Sequence, residues 1–394
     1  RARRAPVIGV AAMAMSGGAG HIIVCGERVP CGARVVTWED QGGLSAYAPR
    51  RRSPDGGAPA PVTDSARTFG VRRDEGGREI AQLRAGAGVG PEARAALRAR
   101  VHQLVAHYDG CGTARRCFRV LHDERGLSAH FIIDLDGTVW QTLDVRERAW
   151  HATVANDASV GVEICNVGAC ECTADGNACA ELPARLARWY EPADAGGGRA
   201  GSESGAAKVS PGTKTIGGRA WRLLVPDGEV PALASLPHFE PPCDIAAVEG
   251  HVHGQRLVQM AFTRAQLRAV AALGAALSSA LPGIVPAFPT ADGATAPLWT
   301  QMPPEDLRVF RGLLGHFHVQ TNKVDPGPAF PWASVVAEWH ALLAAATDRR
   351  VGGEAAGALG AAGGRLSPRE HHLPDLEESS PPPGRAPAVG AVAF

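Results

Sequence analysis

Hydrophobic and polar positions divide the chain into short apolar runs and a few longer helical patterns. QLVAHYD (103–109) is an apolar run that predicts a buried strand with His107 near its end. A short helix is expected to precede it, starting at Pro91. CFRVLHDERG (117–126) spaces Phe118, Leu121 and His122 as on one helical face, with Gly126 as the stop. HFIIDLDGTVWQTLD (130–144) sets two apolar runs around Asp136–Gly137, a dipeptide suited to a tight hairpin turn. SVGVEICNV (159–167) reads as another strand. TRAQLRAVAALGAALSSAL (263–281) reads as a helix capped by Thr263 and stopped by Pro282. VFRGLLGHFHV (309–319) reads as a helix end running into a strand. PWASVVAEWHALLAAA (331–346) is a closing helix with Pro331 near its start. Strands alternating with helices predict an α/β fold around a central sheet.

The pattern is weaker elsewhere. Residues 50–95 are rich in Arg, Gly and Pro, and the whole of 25–95 reads as an N-terminal segment and linker. Residues 168–258 are broken by Gly and Pro and look like an insertion. Residues 350–394 are low in complexity and are expected to be disordered. The compact part is therefore expected at about 96–349. Residues 1–24 pair RARR with the mildly apolar VIGVAAMAM, the shape of an export signal, and HIIVC has a faint likeness to a lipid-anchored cysteine at Cys25.

Composition narrows the function classes. In 394 residues, 45% are hydrophobic and 20% charged, enough apolar material for a core. Lys and Arg total 40, as do Asp and Glu, so no overall basic field argues for nucleic acid or an anionic membrane. No apolar run reaches membrane-spanning length. Lysine occurs only at 208, 214 and 323, which draws attention to each. Nine cysteines, closely spaced at 111 and 117 and from 165 to 179, predict mostly disulfides and an oxidising, extracytoplasmic compartment. The 165–179 group has no usual zinc spacing.

Fourteen histidines are where chemistry is sought. Two H-x-H pairs, His251/His253 and His316/His318, offer same-face side chains if they lie on strands, yet surface or core histidines would read the same way. The second pair has more context: Lys323 and Asp325 follow, and Pro326 and Pro328 stiffen the backbone after Asp325. Two imidazoles and a carboxylate on strand or loop ends would leave a fourth zinc position for water.

These blocks together resemble the zinc-dependent N-acetylmuramoyl-L-alanine amidases of the type-2 amidase family, relatives of peptidoglycan recognition proteins. The similar segments are VAHYDGCG, RGLSAHFIIDLDGTVWQTLDVRERAWHA, SVGVEI and LLGHFHVQTNKVDPGPAFPW, in the family's order. The resemblance implies a mixed central β-sheet flanked by helices, with a Zn²⁺ ion on His107, His316 and Asp325. It implies Glu163 as acid/base and Lys323 as the group that stabilises the oxyanion. Trp150, His151 and Asn156 would line the substrate groove, and Cys111 and Cys117 would form a disulfide beside the first ligand. The implied partner is peptidoglycan or a muropeptide, cleaved by a monomer. Tyr108, Asp109 and Ala129 depart from commoner family residues, and the stretch 168–258 has no counterpart in the minimal fold. Two other readings stay open: a non-catalytic peptidoglycan-binding protein, and a zinc peptidase, against which stands the lack of H-E-x-x-H.

Overall fold

A computed structural model describes residues 20–52, 60–61, 67–84, 90–171, 184–193, 210–226, 241–291 and 295–361. Its centre is a six-stranded mixed sheet. In chain order the strands are β1 (Val35–Thr37), β2 (Gln103–Tyr108), β3 (Phe131–Ile133), β4 (Val139–Gln141) and β5 (Ser159–Ile164). A second, antiparallel sheet uses β6 (Cys170–Glu171), β7 (Tyr190–Pro192), β8 (Lys214–Leu223), β9 (Ile245–Val252) and β10 (Gln255–Met260). The chain then returns to the first sheet as β11 (Gly312–Gly315).

The first sheet runs β11-β2-β5-β3-β4-β1. β11, β2, β5 and β3 are mutually parallel, while β3 and β4 form the antiparallel hairpin expected around Asp136–Gly137. Every residue of β5 is buried, as suits a central parallel strand covered on both faces. The helix Arg264–Ala280 begins at Thr263 with a reciprocal cap: Thr263 Oγ1 accepts from the Gln266 N–H, and Gln266 Oε1 accepts from the Thr263 N–H. Its Val270, Leu273 and Leu277 enter one core with Leu104, Phe131 and Val162 of the sheet.

The N-terminal residues depart from expectation. His21–Val24 pairs with Glu27–Pro30 as a hairpin, and Ile22, Ile23, Val24 and Cys25 are buried. The Cys25 N–H donates to Asp144 Oδ1, so this cysteine is packed into the fold. Residues 67–84, expected as linker, send Arg72 into the interior. Its guanidinium donates to the carbonyls of Val145 (2.9 Å), Asn156 (3.0 Å), Asp157 (3.0 Å) and Ser159 (2.9 Å). Burial pushes this arginine down to about 9. Composition hid the role, because a single buried cation in a Gly/Arg-rich stretch leaves no periodic trace. The body thus includes residues well before 96.

Within residues 168–258, β8, β9 and β10 form an antiparallel array, with a register shift between Thr215 and Ala220 of β8. The tight turn His253–Gly254, with φ of 53° and 77°, is the hairpin signal that periodicity alone obscured. The closing helix runs Trp332–Ala361, past the expected end at 346. Two glycines at 352 and 353 cost it about 1 kcal/mol each relative to alanine, but no proline interrupts before Pro368. Residues from Thr347 onward cluster as a separate unit. Of the stretch 350–394 expected to be disordered, 350–361 continues this helix and the rest lies outside the described residues, as do Lys208, Cys172 and Cys179.

The expected Cys111–Cys117 disulfide is absent. All seven described cysteines are free thiols. Cys117 sits in the helix Ala114–Phe118 and packs with Ile132, Leu135 and Trp189; Cys111 borders the same cluster. Burial, with the nearby Asp109 charge, pushes Cys111 up to about 12 and Cys117 well above its ordinary value. Both behave as small neutral hydrophobes. Among the described residues, then, no disulfide argues for an oxidising compartment. No helix among them is long and apolar enough to cross a membrane.

Candidate active site

His107 occupies the fifth position of β2, and Glu163 stands directly beside it on β5 in parallel register. Neighbours at the same register level point to the same face, so the sheet alone sets imidazole and carboxyl side by side. β11 ends at Gly315, in register with Ala106, and His316 follows at once. His107 and His316 therefore meet at the carboxyl ends of two adjacent parallel strands, where open α/β sheets hold their ligands. The rings lie 4.5 Å apart, centre to centre.

His316–Val319 is a helical turn and no strand, so the two histidines of this pair do not share a face. His318 points inward: Nδ1 accepts from the Gly315 N–H at 2.8 Å and Nε2–H donates to the Leu298 carbonyl at 2.8 Å. Burial pushes it down to about 3. In the other pair, His251 is exposed and His253 forms the β9–β10 turn.

Three atoms converge. His107 Nδ1 lies 3.1 Å from His316 Nδ1 and 2.8 Å from Asp325 Oδ2; His316 Nδ1 lies 3.0 Å from the same oxygen. The surrounding hydrogen bonds assign the protons. Ser159 Oγ–H donates to the Ala155 carbonyl at 2.7 Å, so Oγ accepts from His151 Nε2–H at 3.2 Å. His151 Nδ1 is then an acceptor and takes His107 Nε2–H at 3.0 Å. Burial, then the adjacent His316, push His107 down to about 4, so its ring is neutral with one N–H. That proton is on Nε2, and Nδ1 presents a lone pair. His316 Nε2 lies 2.7 Å from Gln320 Oε1, and the neutral tautomer that donates there leaves a lone pair on its own Nδ1. In that tautomer two imidazole lone pairs and a carboxylate oxygen face one another with no proton between them.

Such an arrangement is repulsive unless a cation sits in it. A tetrahedral zinc with bonds of about 2.0–2.1 Å has ligand edges of about 3.3–3.4 Å, slightly wider than this triangle. The donor set, two imidazoles and one carboxylate, suits zinc and leaves a position open. Among the described residues this is the one group of three such side chains close enough to hold a metal.

Glu163 is buried beside this centre. Burial, then the charges of Asp325 and Asp109, push its pKa well above the ordinary range, while Arg125 and Lys323 act in the opposite direction. Lys323 is half-buried on the loop two residues before Asp325. Asp109 closes the adjacent strand ends, accepting from the N–H groups of Cys111, Gly112 and Asn166, and burial pushes it up to about 7.

The expected groove residues behave differently. His151 lies behind His107 with both ring nitrogens engaged, and its ring packs on Gly161, where a Cβ would fall 2.6 Å from it. Asn156 is buried, and its Oδ1 accepts from the N–H groups of His151 and Ala152. His151, with both ring nitrogens engaged, thus supports His107 from behind, and Asn156 Oδ1 fixes the backbone beside it. Trp150 is half-buried, with its N–H donating to Ser128 Oγ. Sequence reasoning missed Ser159, Gln320 and Gln259. Ser159 opens the SVGVEI strand four residues before Glu163, the one local hint available.

A family model described as N-acetylmuramoyl-L-alanine amidase matches residues 97–212. The matched part contains His107 and Glu163 and ends before His316, Lys323 and Asp325. Two solved structures are similar in outline. A selenomethionine derivative of AmpD is 17% identical, with 76% of this chain and 97% of that chain covered, at a TM-score of 0.27. The amidase AmiD from E. coli, in complex with anhydro-N-acetylmuramic acid-L-Ala-D-gamma-Glu-L-Lys, is 15% identical, with 69% and 65% covered, at a TM-score of 0.29. At such scores neither likeness carries an argument. No curated protein matches the chain.

Proposed function

We propose that this chain, whose residues 97–212 match the family model described as N-acetylmuramoyl-L-alanine amidase, is a zinc-dependent hydrolase of peptidoglycan. The bond cleaved joins the lactyl group of N-acetylmuramic acid to L-alanine. The observation that carries this reading is the convergence of two imidazole nitrogens and a carboxylate oxygen, 2.8–3.1 Å apart, beside a buried carboxyl group.

His107, His316 and Asp325 would hold the zinc, which when bound supplies a Lewis acid for the amide carbonyl and makes a water acidic enough to react near neutral pH. Glu163 takes a proton from the attacking water and returns it to the departing amine. Its raised pKa suits that return, because the protonated form persists nearer to neutrality. Lys323 sets a compact positive charge near the carbonyl oxygen as that oxygen gains charge. His151, Ser159 and Asn156 hold His107 and the loop behind it in one arrangement.

The test is incubation of the purified protein with muropeptides, with and without a chelator, read by mass spectrometry. The expected products are free stem peptide and free muramyl sugar, together one water heavier than the substrate. Their formation stops with chelator and returns with added zinc. Muropeptide bound but left intact by the zinc-loaded protein would establish recognition without catalysis.

A further inference from the structure

The reading above leaves the second sheet without a role. We propose that this sheet clamps the loop carrying Asp325, with Gln259 of β10 as the positioning residue, and thereby sets zinc affinity; this rests on the metal reading of the site.

Gln259 is fully buried. Its two amide atoms span the loop that follows the ligand: Nε2–H donates to the Pro326 carbonyl at 3.0 Å, and Oε1 accepts from the Ala329 N–H at 3.0 Å. A side chain must donate and accept on one short fork to do this, which the amide does and an acid or an aliphatic chain does not. Without it, a buried carbonyl and a buried N–H would each lose their partner.

The fit is close on every side. Gly327 lies between the two bonded residues with φ of 82°, and a Cβ there would fall 2.2 Å from Gln259 Oε1. Gly250 of β9 packs on Pro328, where a Cβ would fall 2.7 Å from the proline ring. Ser210, just before β8, donates from Oγ to the Phe330 carbonyl at 3.0 Å and accepts from the Trp332 N–H at 3.2 Å. Three residues from one region thus hold the chain from Pro326 to Trp332. Gln259 Nε2–H also approaches Asn166 Oδ1 at 3.4 Å, and the Asn166 N–H donates to Asp109 Oδ1 at 2.9 Å, so the clamp reaches the ends of β2 and β5. From the other side, the Asp325 carbonyl accepts from the Phe317 N–H, next to His316. Asp325 is thereby pinned between the second sheet and the turn that bears the other ligand.

Groups that orient a metal ligand without touching the metal typically contribute ~10–100-fold to affinity. The experiment uses the full chain stripped of metal, then titrated with zinc against a competing chelator, and with cobalt(II) for its visible spectrum. Gln259→Met keeps the shape and removes both hydrogen bonds. It is expected to bind zinc ~10–100-fold more weakly and to change the cobalt spectrum, with unchanged far-UV circular dichroism of the metal-free protein. Ser210→Ala, a milder cut at the same clamp, is expected to weaken zinc several-fold. Gln255→Ala, at the exposed start of β10, should match wild type. Wild-type zinc affinity and cobalt spectrum in Gln259→Met overturn the clamp. If Gln259→Met does not fold, unaltered affinity in Ser210→Ala overturns it instead. A wild-type chain that takes up no zinc overturns the metal reading itself, and the clamp with it.

Discussion

His107 and Glu163 are held by the sheet, whereas Asp325 and Lys323 ride on a loop held by side chains from elsewhere. The first pair sits on β2 and β5, whose ladder sets both height and facing. Moving either side chain means breaking a parallel ladder inside the main core. The second pair has no ladder beneath it. Its position depends on Gln259, Ser210 and the packing of Gly250 on Pro328, contacts made across 67 to 120 residues of chain. One half of the site therefore inherits the stability of the fold, and the other inherits the fit of two sheets.

The largest expected contrast is in turnover. Glu163→Gln keeps the fork and the fold of the strand-borne half but cannot exchange the proton. It should retain zinc while kcat falls roughly 10²–10⁴-fold. Lys323→Ala on the loop should cost roughly 10²–10³-fold, the size of one lost donor to a developing oxyanion, and Lys323→Arg should recover part of that. Near wild-type turnover of muropeptide by Glu163→Gln would assign the base to another residue.

The second contrast concerns acid. Each half rests on a buried neutral histidine. Behind the strands, His130 accepts from the Gly161 N–H and donates to the Glu147 carbonyl; behind the loop stands His318. Burial pushes both down from 6.5 to about 3. A depressed folded pKa contributes stability that is complete above 6.5 and is lost as pH falls toward 3. Each gap corresponds to at most about 5 kcal/mol. Urea denaturation of metal-free protein between pH 7 and 4.5 should show this slope, and His130→Gln or His318→Gln should each flatten it. A slope unchanged in both variants would mean that neither histidine is neutral in the fold.

The smallest contrast lies in the outer hydrogen bonds of the two imidazoles. Ser159→Ala removes the buried acceptor that fixes His151, and through it the tautomer of His107, so zinc should weaken ~10-fold. Gln320→Ala removes the corresponding partner of His316, but that site borders solvent and water can replace the amide. Its effect on chelator competition should be smaller than that of Ser159→Ala; the reverse order would show that the loop-borne half is the more rigid.

Much of the strand-borne half was legible. QLVAHY and SVGVEI announce buried parallel strands by their unbroken apolar character, and Thr263 with Gln266 announces a helix start through local hydrogen bonds. The donor types of the candidate centre were legible as well, because His316, Asp325 and the prolines behind it lie within a few residues of one another. His151 and Asn156 were not: a polar residue near a site looks the same whether it faces substrate or supports a ligand from behind. Cys111 and Cys117 show the same ambiguity, since close spacing allows a bridge and burial as separate thiols equally well.

Left to the chain alone are the features that neighbouring residues decide: strand and helix character, the caps, the hairpin at Asp136–Gly137, and a histidine–histidine–carboxylate vocabulary for the centre. Tertiary structure decided the partners. It brought residues 20–49 and Arg72 into the body, made β7 to β10 a second sheet, turned His318 away from the centre, and placed Ser159 and Gln259 behind the ligands. The reason is range. Local pattern reflects backbone preference and burial within a few residues, whereas the choice of one buried hydrogen-bond partner across some 70 residues depends on how whole sheets pack, and no short stretch of sequence records it.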